Sequence, residues 1–108
     1  MNVICKNDGQ YAAYELCGRR LTIGGELTLC LEELQADYPV RVYVSEDERG
    51  RLVTGAARRY VAQLDIPARV SRVEKTGIAD DFGFPVLRRV YETFSSDKVT
   101  LTLWRIRR

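Results

Sequence analysis

The sequence predicts an α+β fold: a mixed, mainly antiparallel sheet of about six to eight strands with two short helices packed on one face. Two observations lead to this prediction. Apolar residues alternate with polar ones at several places, most clearly where Val40, Val42 and Val44 are separated by Arg41 and Tyr43. Two other segments carry apolar residues at helical spacing. At 108 residues we expect one domain, 1–108, with a single core.

The N-terminal part of the chain reads as short strands. Residues 1–6 are predicted to be the first strand, and Asn7-Asp8-Gly9 is a turn signal, so residues 10–17 are expected to return as its hairpin partner. A short helix is the alternative for residues 10–17, because their alanines weaken the strand prediction. Residues 20–23 read as another brief strand.

The central part is predicted as a helix, a hairpin and a second helix. Residues 27–38 have helical spacing and end before Pro39, although Leu27, Leu29 and Leu31 also alternate, which keeps a strand as the alternative. Residues 40–45 and 51–54 are expected to pair through a charged turn. Residues 57–64 then carry an apolar stripe that predicts the second helix.

This order of elements resembles a group of proteins. The sequence LTLCLEEL, followed by PVRVYVSEDERGRLVTG and a short helical stretch, is similar to small uncharacterised proteins carried by phages and integrated mobile elements of Gram-positive bacteria. The resemblance covers about a third of the chain and implies an accessory protein without implying an activity.

The C-terminal part is predicted to contain a strand, a loop and a hairpin. Residues 68–75 alternate like a strand, and residues 76–84 read as an exposed loop in which Phe82 and Phe84 fold back as anchors. Residues 85–94 and 99–106 are expected to form the last hairpin. Both faces of the final strand are partly apolar, which indicates a central or covered strand.

Composition limits the class of protein. The chain is 45% hydrophobic and 30% charged, as in a folded globular protein. The N-terminus lacks the apolar core of a signal peptide and no apolar run is long enough to span a bilayer, so we expect a cytoplasmic protein with no membrane partner. Cys5, Cys17 and Cys30 are expected to be reduced core residues.

The chain contains no histidine. This removes the Ser-His and Cys-His nucleophiles, the usual imidazole metal sites and the commonest acid/base group near neutral pH. The three cysteines have no CxxC spacing, so a structural zinc site is not indicated. We therefore predict no catalytic residue, no cofactor and no metal site, and a protein that is not an enzyme.

Charge is unevenly distributed along the chain. Residues 26–50 carry two basic and seven acidic groups, whereas residues 51–108 carry twelve and six. Basic residues with interleaved aromatic ones on the predicted last hairpin suit a partner or a single-stranded nucleic acid, because guanidinium groups bind phosphate and aromatic faces stack on bases. Solvated strand ends around a buried tryptophan are the alternative. The residues of this basic cluster are Arg88, Arg89, Tyr91, Lys98, Trp104, Arg105, Arg107 and Arg108.

A second candidate surface is acidic. Its carboxylates could together imitate nucleic-acid phosphates and occupy a basic groove on a nucleic-acid enzyme. The candidate acidic face consists of Glu32, Glu33, Asp37, Glu46, Asp47 and Glu48.

The function that the sequence predicts best is non-enzymatic binding, either to a protein partner or as a homo-oligomer. The first alternative is a nucleic-acid-binding module that uses the basic cluster. The second is an inhibitor of a nucleic-acid enzyme that uses the acidic face.

Overall fold

The computed structural model describes residues 1–106, and these residues are mostly β-structure. They form ten strands in three sheets, with a single turn of α-helix and a short 3₁₀ turn. The strands are β1 (Asn2–Lys6), β2 (Tyr14–Cys17), β3 (Arg20–Ile23), β4 (Leu27–Cys30), β5 (Val40–Glu46), β6 (Leu52–Thr54), β7 (Arg59–Ile66), β8 (Ser71–Ala79), β9 (Pro85–Tyr91) and β10 (Thr100–Trp104); α1 is Leu31–Leu34, and Ser96–Lys98 form the 3₁₀ turn. The predicted α+β class with two packed helices is therefore wrong.

The core lies between two of these sheets. A five-stranded sheet has the order β1-β10-β7-β5-β6, and β2-β3-β4 form a three-stranded antiparallel sheet. Val42, Leu64 and Leu101 form one cross-strand row of the larger sheet. They pack in the same apolar cluster as Leu21 and Ile23 of β3. Alternation of side chains along each strand thus gives each sheet one apolar face, and the two faces cover each other.

The first predicted helix, residues 27–38, is mostly a strand and a loop. Residues 27–30 form β4, which pairs with β3 so that Leu29 lies opposite Leu21. The strand alternative for this segment is therefore correct up to Cys30. Only four residues remain for α1, in which Leu31 is fully buried and Leu34 partly so.

The second predicted helix, residues 57–64, is strand β7. Its register against β5 shifts between Val44 and Ser45, so that Val44 pairs with Ala62 and Ser45 with Tyr60. The extra residue, Val61, is buried like its neighbour Ala62. A bulge that turns two consecutive residues inward breaks the period of two, and the resulting apolar spacing imitates a helix.

Strand pairing differs from the prediction at both ends of the chain. β1 pairs in parallel with β10 rather than with residues 10–17, and β9 pairs with β8 rather than with β10. The predicted N-terminal and C-terminal hairpins are both wrong. The hairpin of β5 and β6 is confirmed, as are the strand at residues 20–23 and the central position of the final strand.

The molecule is elongated. Its radius of gyration is 19.0 Å and its principal extents are 67 × 22 × 21 Å, whereas a compact chain of this length has a radius of gyration of about 13 Å. The third sheet, β8 with β9, contains no other strand. Within residues 1–106, neither helical segment has the length and apolar character that crossing a membrane requires.

Candidate protein-binding arm

The third sheet is a two-stranded ribbon, residues 71–91, which we call the arm. β8 and β9 pair from Ser71 opposite Tyr91 to Ala79 opposite Pro85, and none of the residues in either strand is fully buried. An isolated two-stranded hairpin is marginally stable in water because neither face is covered. The arm therefore depends on its own cross-strand contacts and on its attachment to the rest of the protein.

One face of the arm combines apolar and basic side chains. Cross-strand pairing places Val73 beside Arg89 and Lys75 beside Leu87, with Tyr91 at the base of the same face. Val73, Leu87 and Tyr91 are all exposed. Among residues 1–106, Lys75 and Arg89 form no ion pair.

On the opposite face of the arm, charged side chains form ion pairs with one another. The Glu74 carboxylate lies 2.7 Å from Arg72 Nη2 and 3.6 Å from Arg88 Nη2. These pairs are exposed, so each stabilises the ribbon by less than about 1 kcal/mol. Further along, the Thr76 hydroxyl donates to the Val86 carbonyl (2.9 Å) and joins the two strands where the register shifts around Gly77.

The base of the arm is fastened to the body by Arg69. Its backbone N–H donates to the Ala36 carbonyl (2.8 Å), and its guanidinium lies 3.3 Å from the Asp37 carboxylate. The same guanidinium lies 5.3 Å from the centre of the Tyr91 ring, within the distance of a cation–π contact. One arginine thus joins the segment after α1 to the first pair of arm residues.

The tip of the arm is an ordered turn built on Asp80. The backbone N–H groups of Phe82 and Phe84 both donate to Asp80 Oδ1, each at 2.9 Å. The Asp80 N–H donates to the Phe84 carbonyl (2.8 Å), and Gly83, with φ of +80°, donates to the Asp80 carbonyl (3.0 Å). Glycine occupies the left-handed position at little steric cost. The turn is therefore closed by four hydrogen bonds.

Two phenylalanines project from this turn into solvent. Phe82 is 85% exposed and Phe84 is 67% exposed. The prediction that they fold back as anchors of a loop is wrong, and so is the prediction that the loop begins at residue 76, because β8 continues to Ala79. Large apolar side chains held out in this way, above an exposed apolar ribbon, are typical of an interaction surface.

The turn between β5 and β6 has the same design. Asp47 Oδ1 accepts from the N–H groups of Arg49 and Arg51, each at 2.9 Å. The Asp47 N–H donates to the Arg51 carbonyl (2.9 Å), and Gly50, with φ of +78°, donates to the Asp47 carbonyl (3.0 Å). Arginines thus occupy the places that phenylalanines occupy at the tip. The turn does not require aromatic residues there.

The predicted basic cluster is divided between different parts of the fold. Arg88, Arg89 and Tyr91 lie on the arm, and Arg88 and Arg89 point to its opposite faces. Lys98 is in the 3₁₀ turn, whereas Trp104 is the last residue of β10. Arg105 follows, with its side chain donating to the Asp8 carbonyl (3.3 Å). Arg107 and Arg108 lie outside the described residues.

Trp104 belongs to a different aromatic group from the one predicted. Its ring centre lies 6.3 Å from that of Tyr60, which lies 5.1 Å from that of Tyr43. These three rings are on the face of the five-stranded sheet that points away from the core. The arginine on the same face, Arg41, is already paired with Asp65 at 2.7 Å.

The Arg41–Asp65 pair changes the ionisation of both groups. Partial desolvation, the largest effect on Asp65, raises its pKa, but hydrogen bonds from Arg41 and Gln63 together with the charge of Arg41 outweigh it and hold the pKa below its ordinary value. The hydrogen bond to Asp65 raises the pKa of Arg41. This pair links the neighbouring strands β5 and β7 on the outer face.

The predicted acidic face is also divided. Glu32 pairs with Arg19, Asp37 pairs with Arg69, and Glu33 is exposed in α1. Glu46, Asp47 and Glu48 lie at the other end of β5, about 20 Å along a strand of this length. Among residues 1–106, no group of three histidine, cysteine or acidic residues has a geometry that could hold a metal ion. Cys5 and Cys17 are exposed rather than in the core.

Sequence reasoning missed the arm as a site, although a signal for it was present. The segments DERGR at 47–51 and DDFGF at 80–84 share aspartate first and glycine fourth. Recognising them as one type of turn would have placed Phe82 and Phe84 outside a hairpin instead of against a core.

Searches with this sequence and structure found no matching family model, curated protein or solved structure.

Proposed function

We propose that this protein is a non-enzymatic protein-binding module that docks through its arm. The observation that carries the proposal is the exposure of Phe82 and Phe84 at the tip. The turn between β5 and β6, the sister turn of the tip, has the same backbone hydrogen bonds but carries arginines at these two positions, so the turn itself does not explain the phenylalanines. Binding energy at protein interfaces concentrates in a few large side chains that enter pockets. An ordered tip presents such side chains without the entropic cost of ordering a loop.

The sides of the arm suit the same role. Val73, Leu87 and Tyr91 extend the apolar surface towards the base. Lys75 and Arg89 beside them form no ion pair within residues 1–106 and can therefore pair with a partner's carboxylates. Apolar anchors with charged neighbours fit the composition of a protein interface, in which charges at the rim fix orientation and apolar side chains at the centre supply affinity.

The experiment that tests this proposal is site-specific photo-cross-linking. Benzoylphenylalanine replaces Phe82, and the matched control carries it at Tyr38, which is 68% exposed on the body. Purified protein and lysate of the source cells are irradiated at low and high salt. We expect a discrete protein adduct from position 82 that persists at high salt, because apolar contacts are not screened. The proposal fails if position 82 yields no protein adduct or yields the same products as position 38.

Nucleic-acid binding is the second candidate, and the observation in its favour is the row of rings Tyr43, Tyr60 and Trp104 on the outer sheet face. Such rings can stack on unpaired bases. The support is weaker than for the arm, since Arg41, on the same face as the rings, already holds the Asp65 carboxylate. Fluorescence anisotropy of labelled single-stranded DNA and RNA tests it: binding that weakens log-linearly with salt and is lost in Trp104→Ala would favour this candidate.

A further inference from the structure

The end of the body opposite the arm contains a cleft. Its volume is about 320 Å³, and it opens between the two core sheets. Its lining combines two carboxylates and a tyrosine, Glu26, Glu46 and Tyr11, with small or apolar residues: Ala12, Ala13, Gly24, Gly50, Leu52, Val61 and Ile106. This volume is at the lower end of the range of about 300–1,000 Å³ for ligand pockets, which suits one or two aromatic side chains.

Strand direction places the cleft and the arm at opposite ends. β7 starts at Arg59, opposite Glu46, and ends at Ile66, opposite Val40. Glu46 and Val61 line the cleft, whereas the arm begins at Ser71, shortly after Ile66. β7 has eight residues, so about 25 Å of strand separates the two features. The tip and the cleft are therefore separate surfaces, as a head-to-tail contact between two copies requires.

Arginines beside the cleft are available to the tip. The four carboxylates in and around the cleft, Glu26, Glu46, Asp47 and Glu48, are balanced in charge by four arginines, of which Arg59 pairs with Glu46 at 2.8 Å. The other three, Arg49, Arg51 and Arg58, form no ion pair among residues 1–106 and can therefore bind a carboxylate of a partner. The tip carries the exposed carboxylate Asp81 beside its two phenylalanines.

We propose that Phe82 and Phe84 of one copy enter the cleft of a second copy, with Asp81 facing the arginines at its rim. This inference rests on the proposed function of the arm and names its partner. Because tip and cleft are different surfaces, the contact is head-to-tail, and repetition produces a closed ring or an open filament. Each contact is small, so a single one is weak and closure of a ring strengthens the assembly by raising the effective concentration.

The test uses two variants that each disable one side of the contact. The tip variant is Phe82→Arg with Phe84→Arg, which copies the residues of the sister turn and so keeps the backbone. The cleft variant is Ala13→Glu, which places a carboxylate at the mouth of the cleft on an exposed residue. Arg58→Glu is a second cleft variant that touches no core residue. Tyr38→Glu adds the same charge at the arm end of the body and serves as control.

Mass is measured by light scattering and by sedimentation up to about 1 mM protein. We expect the mass of the native chain and of Tyr38→Glu to rise with concentration, and the tip and cleft variants each to remain monomeric. An equimolar mixture of tip and cleft variants should form a dimer and nothing larger, because one functional tip and one functional cleft remain.

Other outcomes overturn the inference and are distinguishable from failure of the proposed function. If both cleft variants associate as strongly as the native chain, the tip binds a surface other than the cleft, and the arm proposal still stands. A strictly monomeric native chain excludes a second copy as the partner, while an adduct from position 82 to another protein would still support the arm. Native association by the tip variant would show that the copies meet through another surface, which overturns the inference and leaves the arm proposal to the cross-linking experiment.

Discussion

Asp47 and Asp80 occupy equivalent positions in two turns of one chain, and each accepts two backbone N–H groups at 2.9 Å. The two turns differ in what they expose. The first carries Arg49 and Arg51, and the second carries Phe82 and Phe84. The backbone scaffold is therefore separable from the surface it presents, and each turn is an internal control for the other.

The first prediction concerns Asp80. Asp80→Ala removes two hydrogen bonds from the tip, each worth about 0.5–1.5 kcal/mol, and so loosens the turn without touching the core. We expect faster hydrogen exchange at the Phe82 and Phe84 amides, weaker association and an almost unchanged melting temperature. Asp47→Ala should instead speed exchange at Arg49 and Arg51. Slow exchange at the Phe82 amide in Asp80→Ala would show that the carboxylate does not hold the tip.

The second prediction compares two leucines. Leu64 is fully buried in the core, whereas Leu87 on the arm is 54% exposed. Leu64→Ala should lower the free energy of unfolding by about 2–5 kcal/mol, because it removes buried contacts and leaves a cavity. Leu87→Ala should change it by less than about 0.5 kcal/mol. Urea denaturation measures both, and equal effects would mean that the arm face is covered in the folded monomer.

The third prediction concerns pH. The folded-state pKa of Asp65 lies below its unfolded value, so its contribution is fully present above the unfolded pKa and is lost as pH falls through the folded pKa. Asp65→Asn should therefore reduce stability by up to about 1 kcal/mol at pH 7, and its difference from the native chain should vanish in acid. A difference that persists well below the folded pKa would assign the effect to packing instead of charge.

The fourth prediction concerns two adjacent glycines in the β3–β4 turn. Gly24 and Gly25 have φ of +62° and +70°, so alanine at either position costs about 1 kcal/mol or more in backbone strain. A Cβ atom at Gly24 would also lie 2.7 Å from Leu52 Cδ1, whereas one at Gly25 would meet nothing within 4 Å.

Leu52 lines the cleft. Gly24→Ala should therefore displace its side chain and weaken self-association, and Gly25→Ala should lower stability alone. Thermal melts and light scattering separate the two effects. Equal association of both variants would indicate that the position of Leu52 does not matter for docking.

The predictable part of the fold is the part in which each strand keeps a period of two. Val40, Val42 and Val44 alternate cleanly, and their strand and its hairpin are found as expected. The sequence of β7 wrongly predicts a helix, because the bulge turns both Val61 and Ala62 inward and so interrupts the strand period. A bulge depends on the facing strand, and no local pattern in β7 reveals it.

Strand partners were harder to predict than strands. The sequence predicts a strand at residues 85–94, and residues 85–91 form one, but this strand pairs with β8 rather than with β10. The connections from β8 to β9 and from β9 to β10 are both short, so adjacency in the sequence does not decide which of the two strands pairs with β9. The wrong strand partner also led to a wrong prediction for the candidate site. Phe82 and Phe84 look like core residues by type, and only the pairing of β8 with β9 places them at the end of a ribbon.

The parallel pairing of β1 with β10 has a consequence for biosynthesis. Val3 lies beside Leu101, so β1, which is synthesised before the other nine strands, can pair only after β10 has been synthesised. β10 also lies between β1 and β7, so the five-stranded sheet is incomplete until β10 has been synthesised. Contacts this distant in sequence slow folding. On the ribosome, β5, β6, β7 and the arm can form by local pairing, while β1 remains without a neighbour until residue 104 has left the exit tunnel.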